Sequence, residues 1–492
     1  MNHALLHPPR SPPVTVNGTP VPSALDAAVS RLLQDAGATT GVTLLPKGLE
    51  AFMLRAHSAR IAGRTLDLQY YRWSDDITGG LLAREVLAAA DRGVRVRMLL
   101  DDSYVLGVER RIALLSAHPR IEVRLFNTAR LRWLGQLGLA VEFALGGWHL
   151  NHRMHNKNWV VDGRMALVGG RNIADAYFDG AGDFNFRDLD LLIAGEAASQ
   201  AQTVFDSYWA SSLARPVERF RVAAGLSTPA LAAFRAELDV IPDSDKARPY
   251  LKALAAKRAV LLGQDHSLLP ADGAVRVMAD PPAKAKGRAH RAGMAPAILS
   301  RLRETQREAV LISPYFVPGR EGMALIETLV RRGVRVTVVT NSLAATDVVA
   351  VHSGYARYRP RLLELGVELF ELKRMGSHGR GVFGSRGASL HTKAMMLDGE
   401  VVFVGSFNLD PRSANLNTEM GAFARHPGLA GHLAREYRRL VDPRRSYRLS
   451  LTPRGRLRWT DAAGTQPHEP DASWSRRAMA RLVKWLPIEA QL

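Results

Sequence analysis

Apolar and polar positions along this chain alternate with two periods, and the alternation occurs twice. Residues 66–71 carry the period-two pattern of a strand. Gly79-Gly80 opens a segment, 81–91, in which Leu82, Val86, Leu87 and Ala90 recur at helical spacing, and Arg92-Gly93 ends it. Residues 94–100 and 121–126 read as two more strands. Strand, helix, strand, connector, strand predicts a sheet covered by helices. The same succession returns downstream. Residues 309–316 form a predicted strand, 323–332 a helix closed by Gly333, and 334–340 and 367–370 two strands. The pentapeptide Arg-Gly-Val-Arg-Val stands at both 92–96 and 332–336. The repeat therefore covers whole domains, and two similar α/β units in one chain are expected.

The stretches outside the repeat set the expected boundaries. Met1 to Pro22 is rich in proline and polar residues and lacks a secretory apolar region. Residues 1–40 are expected to be a flexible tail, 41–214 the first domain and 215–274 a helical connector. Residues 275–445 are the expected second domain, with a basic, Pro/Gly-rich loop at 281–288. Residues 446–492 are the expected C-terminal tail, ending in an amphipathic segment.

One stretch occurs in both units. His155-Asn156-Lys157, Asp162-Gly163 and Gly169-Gly170-Arg171-Asn172 match His391-Thr392-Lys393, Asp398-Gly399 and Gly405-Ser406-Phe407-Asn408 at identical spacing. Each copy holds two short β-prone runs separated by Asp-Gly, the signal of a tight hairpin. A two-residue turn at Asp162-Gly163 would place Lys157 opposite Val168 and His155 opposite Gly170. Residues two apart share a strand face, so His155 and Lys157 project together. Gly169 and Gly170 are expected to leave room for a ligand, with Asn172 just past the strand end. The second copy repeats this with His391, Lys393, Gly405, Ser406 and Asn408. Asp162 and Asp398 read as turn formers first, with a direct chemical role as the lesser alternative.

Composition narrows the classes. The apolar fraction of 47% is that of a globular protein, cysteine is absent, and the net charge is +19 with a pI near 10.5. Disulfides and thiolate metal sites are excluded. The charge suits a polyanion, either nucleic acid or an anionic membrane. No apolar run approaches the ~18 residues of a spanning helix, so a cytosolic protein that docks on a membrane surface is expected.

The duplicated H-x-K-x4-D followed by G-[GS]-x-N resembles the phospholipase D superfamily. The resemblance implies two phospholipase D-type α/β/α domains, each a mixed sheet flanked by helices. They would be related by a pseudo-twofold axis with one shared active site. It implies catalytic roles for His155, Lys157, Asp162, His391, Lys393 and Asp398. One imidazole, assigned here to His155, would attack phosphorus, while the other protonates the leaving alcohol. Lys157, Lys393, Asn172 and Asn408, with Gly170 and Ser406, would bind the phosphate. Glu419 sits where the family places a His-orienting carboxylate, with Asp188 as its first-half counterpart and Asp190 second. No metal and no cofactor are expected.

Further segments are similar to bacterial cardiolipin synthases: Gln69-Tyr70-Tyr71, Leu99-Leu100-Asp101-Asp102, Asp175-Ala176-Tyr177-Phe178, Thr340-Asn341-Ser342 and Asp410-Pro411-Arg412-Ser413. The nearest branch is type C, which lacks transmembrane helices. That resemblance implies transfer of a phosphatidyl group onto phosphatidylglycerol, from phosphatidylethanolamine or phosphatidylglycerol. Phospholipids and an anionic membrane surface are the expected partners, with no nucleic acid and no defined protein partner. The expected location is the cytoplasm, peripheral on the inner face of a bacterial cell membrane. The alternatives are a phospholipase D-type hydrolase or nuclease, and an idle lipid-binding module. Membrane surface would separate them, and two stretches suit it. Residues 130–141 are apolar beyond the needs of a loop. Residues 474–486 split into a Trp-bearing half and a basic half on a helical wheel.

Overall fold

The period-two runs of both units pair into two large sheets of matching topology. The structure is a computed structural model describing residues 15–16, 19–20, 22–105, 109–220, 226–262, 268–287, 293–374, 388–485 and 489–491. A small hairpin, β1 (Thr15–Val16) and β2 (Thr19–Pro20), precedes the sheets. The first unit contributes β3 (Thr40–Leu45), β4 (Thr65–Tyr70), β5 (Arg95–Asp101), β6 (Ile121–Phe126), β7 (Asn158–Val161), β8 (Met165–Gly169), β9 (Asn185–Arg187), β10 (Asp190–Gly195), β11 (Ala214–Pro216) and β12 (Leu269–Pro270). The second contributes β13 (Val275–Ala279), β14 (Glu308–Ile312), β15 (Arg335–Asn341), β16 (Glu368–Leu372), β17 (Ala388–Leu390), β18 (Ala394–Leu397), β19 (Val401–Gly405), β20 (Met420–Arg425), β21 (Ser446–Leu451), β22 (Leu457–Asp461) and β23 (Gly464–Gln466). The first sheet runs β11-β6-β5-β4-β7-β8-β10-β3-β12, and the second β13-β20-β19-β18-β14-β15-β16-β21-β22-β23. In each, three neighbouring strands are parallel (β4, β5, β6; β14, β15, β16) and the motif hairpin lies antiparallel beside the first of them. Both sheets are mixed and flanked by helices, as expected.

The motif strands are apolar on both faces because each face meets a different core. On β8, Met165 and Leu167 pack toward the helices of the first unit. Ala166 and Val168 instead join a cluster shared by both sheets, with Leu191 and Ile193 of β10 and Val402 and Val404 of β19. In the second unit, Val401 and Phe403 turn to its own helices. The two units thus pack sheet against sheet, and every motif strand contributes to that shared layer.

Three expectations need correction. Residues 22–40 are not a loose tail. A helix, Ala24–Ala36, carries a reciprocal cap between Ser23 and Asp26 and buries Leu25, Val29 and Leu33. Residues 1–14 lie outside the described residues. Nor does the second domain stop at 445, because β21 pairs with β16 and carries β22 and β23 beyond it. Finally, the hairpin register is one residue off. Asp162 and Gly163 do take the two left-handed turn positions, with φ 53° and 66°. Arg164 is then an extra residue: its N–H donates to Val161 O, and the next pair is Val161 with Met165. Asn158 rather than Lys157 therefore faces Val168. The second copy has the same turn, with Leu397 paired to Val401.

Asp162 and Asp398, included among the catalytic candidates, sit at the far ends of these hairpins. Asp162 accepts from the N–H groups of Gly63, Arg64 and Thr65 at 2.9, 2.7 and 2.8 Å, and from Ser23 Oγ. Asp398 accepts from Gln306, Arg307 and Glu308 N–H groups in the same way. Each carboxylate ties its hairpin turn to the segment entering the neighbouring parallel strand. In both copies the carboxylate is engaged by backbone donors at the turn. Asp162→Ala should cost about 2–4 kcal/mol, because three backbone donors lose their acceptor and alanine meets a left-handed φ. A lowered melting temperature with kcat per folded molecule within about twofold of wild type is the expected outcome; an inactive but fully stable variant would restore the chemical role.

Candidate active site

The strand that leads into each motif histidine pairs with the other unit. Met154 bridges Thr418, with His155 N–H donating to Thr418 O at 2.9 Å and Thr418 N–H to Arg153 O at 2.8 Å. In the mirrored position β17 lies parallel to β9, and His391 N–H donates to Arg187 O at 2.7 Å. Thr418 precedes Glu419 and Arg187 precedes Asp188. The backbone pairing therefore delivers each carboxylate to the histidine of the opposite unit. His155 Nδ1 lies 2.8 and 3.1 Å from the Glu419 oxygens, and His391 Nδ1 lies 2.5 Å from Asp188 Oδ2. With Nδ1 committed to a carboxylate, Nε2 is the ring nitrogen left for a ligand. Glu419 and Asp188, the orienting candidates read from the sequence, thus each lie against the imidazole of the opposite unit, a crossing that was not visible there. Asp190, the second candidate, is held by Arg55 at 2.9 Å and does not reach a histidine.

Support behind these pairs comes from the strand ends. Asp101 closes β5 and accepts from Met154 N–H at 2.8 Å. Asn341 closes the equivalent β15 and accepts from Leu390 N–H at 2.9 Å. Each thus fixes the residue before a histidine. Gly170 and Ser406, expected to border the phosphate, have a different task. A Cβ on Gly170 would stand 2.3 Å from Asp188 Oδ1, so this glycine makes room for the carboxylate. The Ser406 hydroxyl donates to Glu419, as does Ser413 Oγ at 3.0 Å. Arg171 donates to Asp188 O at 2.5 Å and to Leu45 O, fixing the Asp188 backbone.

The lysines and amides line the same centre. Lys157 Nζ and Lys393 Nζ each donate to the carbonyl of their own histidine at 2.6 Å. Lys393 Nζ also lies 3.0 Å from His391 Nδ1. Asn172 donates to the Tyr177 hydroxyl at 2.9 Å, and the Asn172 and Asn408 Oδ1 atoms are buried without a partner. Those oxygens only accept, so a phosphate oxygen could be met only by the remaining amide N–H groups of these side chains. Aromatic rings wall the site: Tyr71 meets His155 edge-on at 5.1 Å, and Tyr177 and Phe186 stand 5.0 and 4.9 Å from His391. Sequence reasoning quoted Tyr71 and Tyr177 only as points of resemblance, because their approach to the imidazoles is long-range. Among the described residues no cluster of three or more His, Asp or Glu could hold a metal ion.

Burial sets the charge state of the site. It pulls the His155 imidazole down to about 4 against the opposing pull of Glu419. It drives His391 well below its usual range, with Lys393 and Lys157 adding to the effect. Lys157 falls well below the ordinary lysine value, and Lys393 falls to about 8. Asp188 is raised by its burial. Burial would raise Glu419 too, but His155, Lys157 and Ser406 together hold it low. Both imidazoles are therefore neutral at neutral pH, and an incoming phosphate would bring the negative charge that raises them. An unfolded histidine protonates near 6.5 and folded His155 only near 4, so the unfolded chain binds more protons between those values. Stability should fall as pH drops through that window, by on the order of 3 kcal/mol from His155 alone. His155→Gln should flatten the dependence of the melting temperature on pH between 6.5 and 4; an unchanged slope would refute the buried neutral ring.

The comparisons agree with this geometry. A family model described as "Cardiolipin synthase, PLD-like domain" matches residues 57–209 and 298–441, one region in each unit. The chain is 40% identical over 484 residues to cardiolipin synthase C of Escherichia coli (strain K12), covering 94% of this chain and 99% of that protein. It is 24% identical over 386 residues to a cardiolipin synthase of Halalkalibacterium halodurans, covering 78% of this chain and 63% of that protein. Its fold is similar to the crystal structure of phosphatidylserine synthase from Haemophilus influenzae Rd KW20, with a TM-score of 0.60 at 14% identity over 94% of this chain and 100% of that one. Two crossed histidine–carboxylate pairs on a duplicated sheet are thus accompanied by similarity along nearly the whole chain, and this protein belongs to the phospholipase D-like cardiolipin synthase family.

Proposed function

We propose that this chain is a cardiolipin synthase that moves a phosphatidyl group between phospholipids through a phosphohistidine. The observation that carries the reading is the crossed pairing of His155 with Glu419 and His391 with Asp188, which engages both Nδ1 atoms and leaves both Nε2 atoms for a substrate. In the first step the charge of the bound phosphate raises His391 so that it takes up a proton at Nε2; His155 Nε2 then bonds to phosphorus, the bond to the headgroup oxygen breaks, and His391 gives that oxygen its proton. In the second, a hydroxyl of phosphatidylglycerol loses its proton to His391, its oxygen bonds to phosphorus, and the His155 nitrogen leaves. Lys157, Lys393, Asn172 and Asn408 hold the non-bridging oxygens, where charge builds in the transition state. His155 is the nucleophile because its carboxylate is the better-held anion. Glu419 receives two hydroxyls besides the imidazole, while burial raises Asp188.

His155→Ala and His391→Ala should each leave less than about a hundredth of wild-type transfer, a loss above ~2.7 kcal/mol in the barrier. Substrate trapped on the enzyme should map to His155. Transfer above a tenth in either variant, or a label on His391, would contradict these roles.

The reaction needs lipid delivered to a buried centre, and two helices supply the surface. Among the described residues no helix is long and apolar enough to cross a membrane. The tail helix, Trp474–Val483, buries no large side chain. Its Ala480 packs near Leu343 and Ala344, and Arg476 donates to Leu343 O and Thr346 O. The apolar side faces away from the body, with Trp474 80% and Trp485 87% exposed, and Met479 and Leu482 exposed between them. A second helix, Gly135–Ala144, leaves Leu137 67% and Leu145 80% exposed, in line with Leu134 and Val141. The chain runs from that helix through Asn151, which accepts from Arg412 and donates to Gln491, to His155. Both apolar stripes are exposed to solvent. They fit the interface of an anionic bilayer, with Arg481 and Lys484 at its headgroups. This surface favours a lipid over a nucleic-acid substrate.

Trp474→Ser with Trp485→Ser should weaken co-sedimentation with phosphatidylglycerol-containing vesicles by at least tenfold. The melting temperature should stay within a degree or two, because neither ring is buried. A clear drop in melting temperature with unchanged sedimentation would place the rings against the protein instead.

A further inference from the structure

The basic, Pro/Gly-rich loop that follows β13 keeps one of its lysines out of solvent. Asp280 leads into a short helical turn, Pro282–Lys286, and both Asp280 and Lys284 are buried. Lys284 Nζ donates to Asp280 Oδ2 and to the Ser413 carbonyl, each at 2.8 Å. The loop is seated on the first unit. The Tyr208 hydroxyl donates to Asp280 O at 2.6 Å, and Ala285 packs in one cluster with Met154, Phe205 and Tyr208. A buried ion pair is a costly way to stabilise a fold. What this pair holds is Glu419.

Asp280 grips Glu419 at both backbone atoms. Its N–H donates to Glu419 O at 2.8 Å, and its Oδ2 accepts from Glu419 N–H at 3.0 Å. Its Oδ1 accepts from Met294 N–H at 2.8 Å, which leaves Oδ2 to Lys284 and Glu419. Lys284 reaches the Glu419 side chain by a second route. The carbonyl it binds belongs to Ser413, whose hydroxyl donates to Glu419 Oε1 at 3.0 Å. Glu419 in turn lies 2.8 Å from His155 Nδ1. The first unit holds its carboxylate differently. There Arg171 of the motif donates to Asp188 O at 2.5 Å, and Phe407 stands at the matching place in the second copy. Strand register makes Lys47 the counterpart of Asp280, and its half-exposed ammonium pairs with Glu50 instead.

We propose that Lys284 is a positioning residue for the reaction: paired with Asp280, it fixes the carboxylate that orients His155, the task that Arg171 performs for Asp188 in the first unit. The inference rests on the transfer reading above only in needing His155 to react. Lys284 acts on that ring through contacts in series, from Lys284 to Asp280, from Asp280 to Glu419 and from Glu419 to His155. Burial raises Asp280, and the ammonium opposes that rise. Without Lys284 the carboxylate takes up a proton more readily, and its bond to Glu419 N–H loses the strength that charge gives it. The Ser413 carbonyl loses its donor at the same time. Both restraints on Glu419 loosen together, and an in-line attack on phosphorus is sensitive to displacements well under the size of an atom.

A double-mutant cycle on the full chain tests this. Cardiolipin formation is measured on vesicles of equimolar phosphatidylethanolamine and phosphatidylglycerol and expressed per folded molecule. Lys284→Met should lower kcat by about tenfold or more and leave the KM for phosphatidylglycerol within about twofold, because the side chain meets no lipid. In a Glu419→Gln background the same change should lower the residual kcat by less than about threefold, because its effect runs through a carboxylate already lost. Lys284→Gln keeps a donor for one of the two acceptors and should fall between Lys284→Met and wild type. It takes the place of Lys284→Met in the cycle if that variant does not fold. Equal losses in both backgrounds would mark a lysine that merely supports the fold and overturn the proposal, as would a Lys284→Met enzyme with wild-type kcat. Headgroup release by wild type without any cardiolipin would instead refute the transfer reading, and the cycle is then read on headgroup release.

Discussion

The bond between an imidazole of one unit and a carboxylate of the other is what the rest of the structure arranges. His155 with Glu419 and His391 with Asp188 are buried pairs whose members lie far apart in sequence. A buried carboxylate or imidazole left without its partner costs more than the pair returns when made. Neither unit can therefore keep its own half of the chemistry when apart. Glu419 would lose His155, and Asp188 would lose His391. The two α/β units are repeats in sequence and fold, yet they form one functional object.

Backbone geometry makes the crossing inevitable once the sheets have met. The residue before each histidine is fixed to its own sheet through Asp101 or Asn341. The histidine itself is fixed to the other unit by a strand-like N–H to Thr418 or Arg187 carbonyl. The next residue of that partner segment is the carboxylate. Two short pairings thus set position and partner together. The shared layer of Ala166, Val168, Leu191, Val402 and Val404 supplies the apolar driving force that holds the sheets at this spacing. The unbroken apolar character of the motif strands is a consequence of that layer.

What could be read in the sequence is what local physics writes there. The duplicated spacing, the parallel strands with their helix between, and the Asp-Gly turns depend on near neighbours, and all are present. The hairpin register was off by one because Arg164 forms a bulge after the turn, and no residue type announces it. Strands β21–β23 were missed because their pairing to β16 is decided by the sheet edge and not by their own pattern. Gly170 reads as empty space in a sequence; only the fold shows Asp188 filling it. The tail helix was recognisable as amphipathic, but which half faced outward depended on Arg476 finding the carbonyls of Leu343 and Thr346.

Symmetry in the fold and asymmetry in the chemistry follow from one requirement. A two-step transfer needs one histidine to bond to phosphorus and the other to move protons, so identical environments would serve it poorly. Duplication supplies two equivalent imidazoles, and differences at matched positions then separate them. Ser406 stands where the first unit has Gly170, and it gives Glu419 a hydroxyl that Asp188 lacks. Tyr315 stands where the first unit has Arg72, and it holds a carboxylate on the His391 side. The first difference strengthens the anion behind His155, as the nucleophilic role proposed for that ring would need. The second places negative charge on the side of His391, the ring proposed to exchange protons, where it favours the imidazolium. Both substitutions push the two histidines toward opposite roles without moving either sheet.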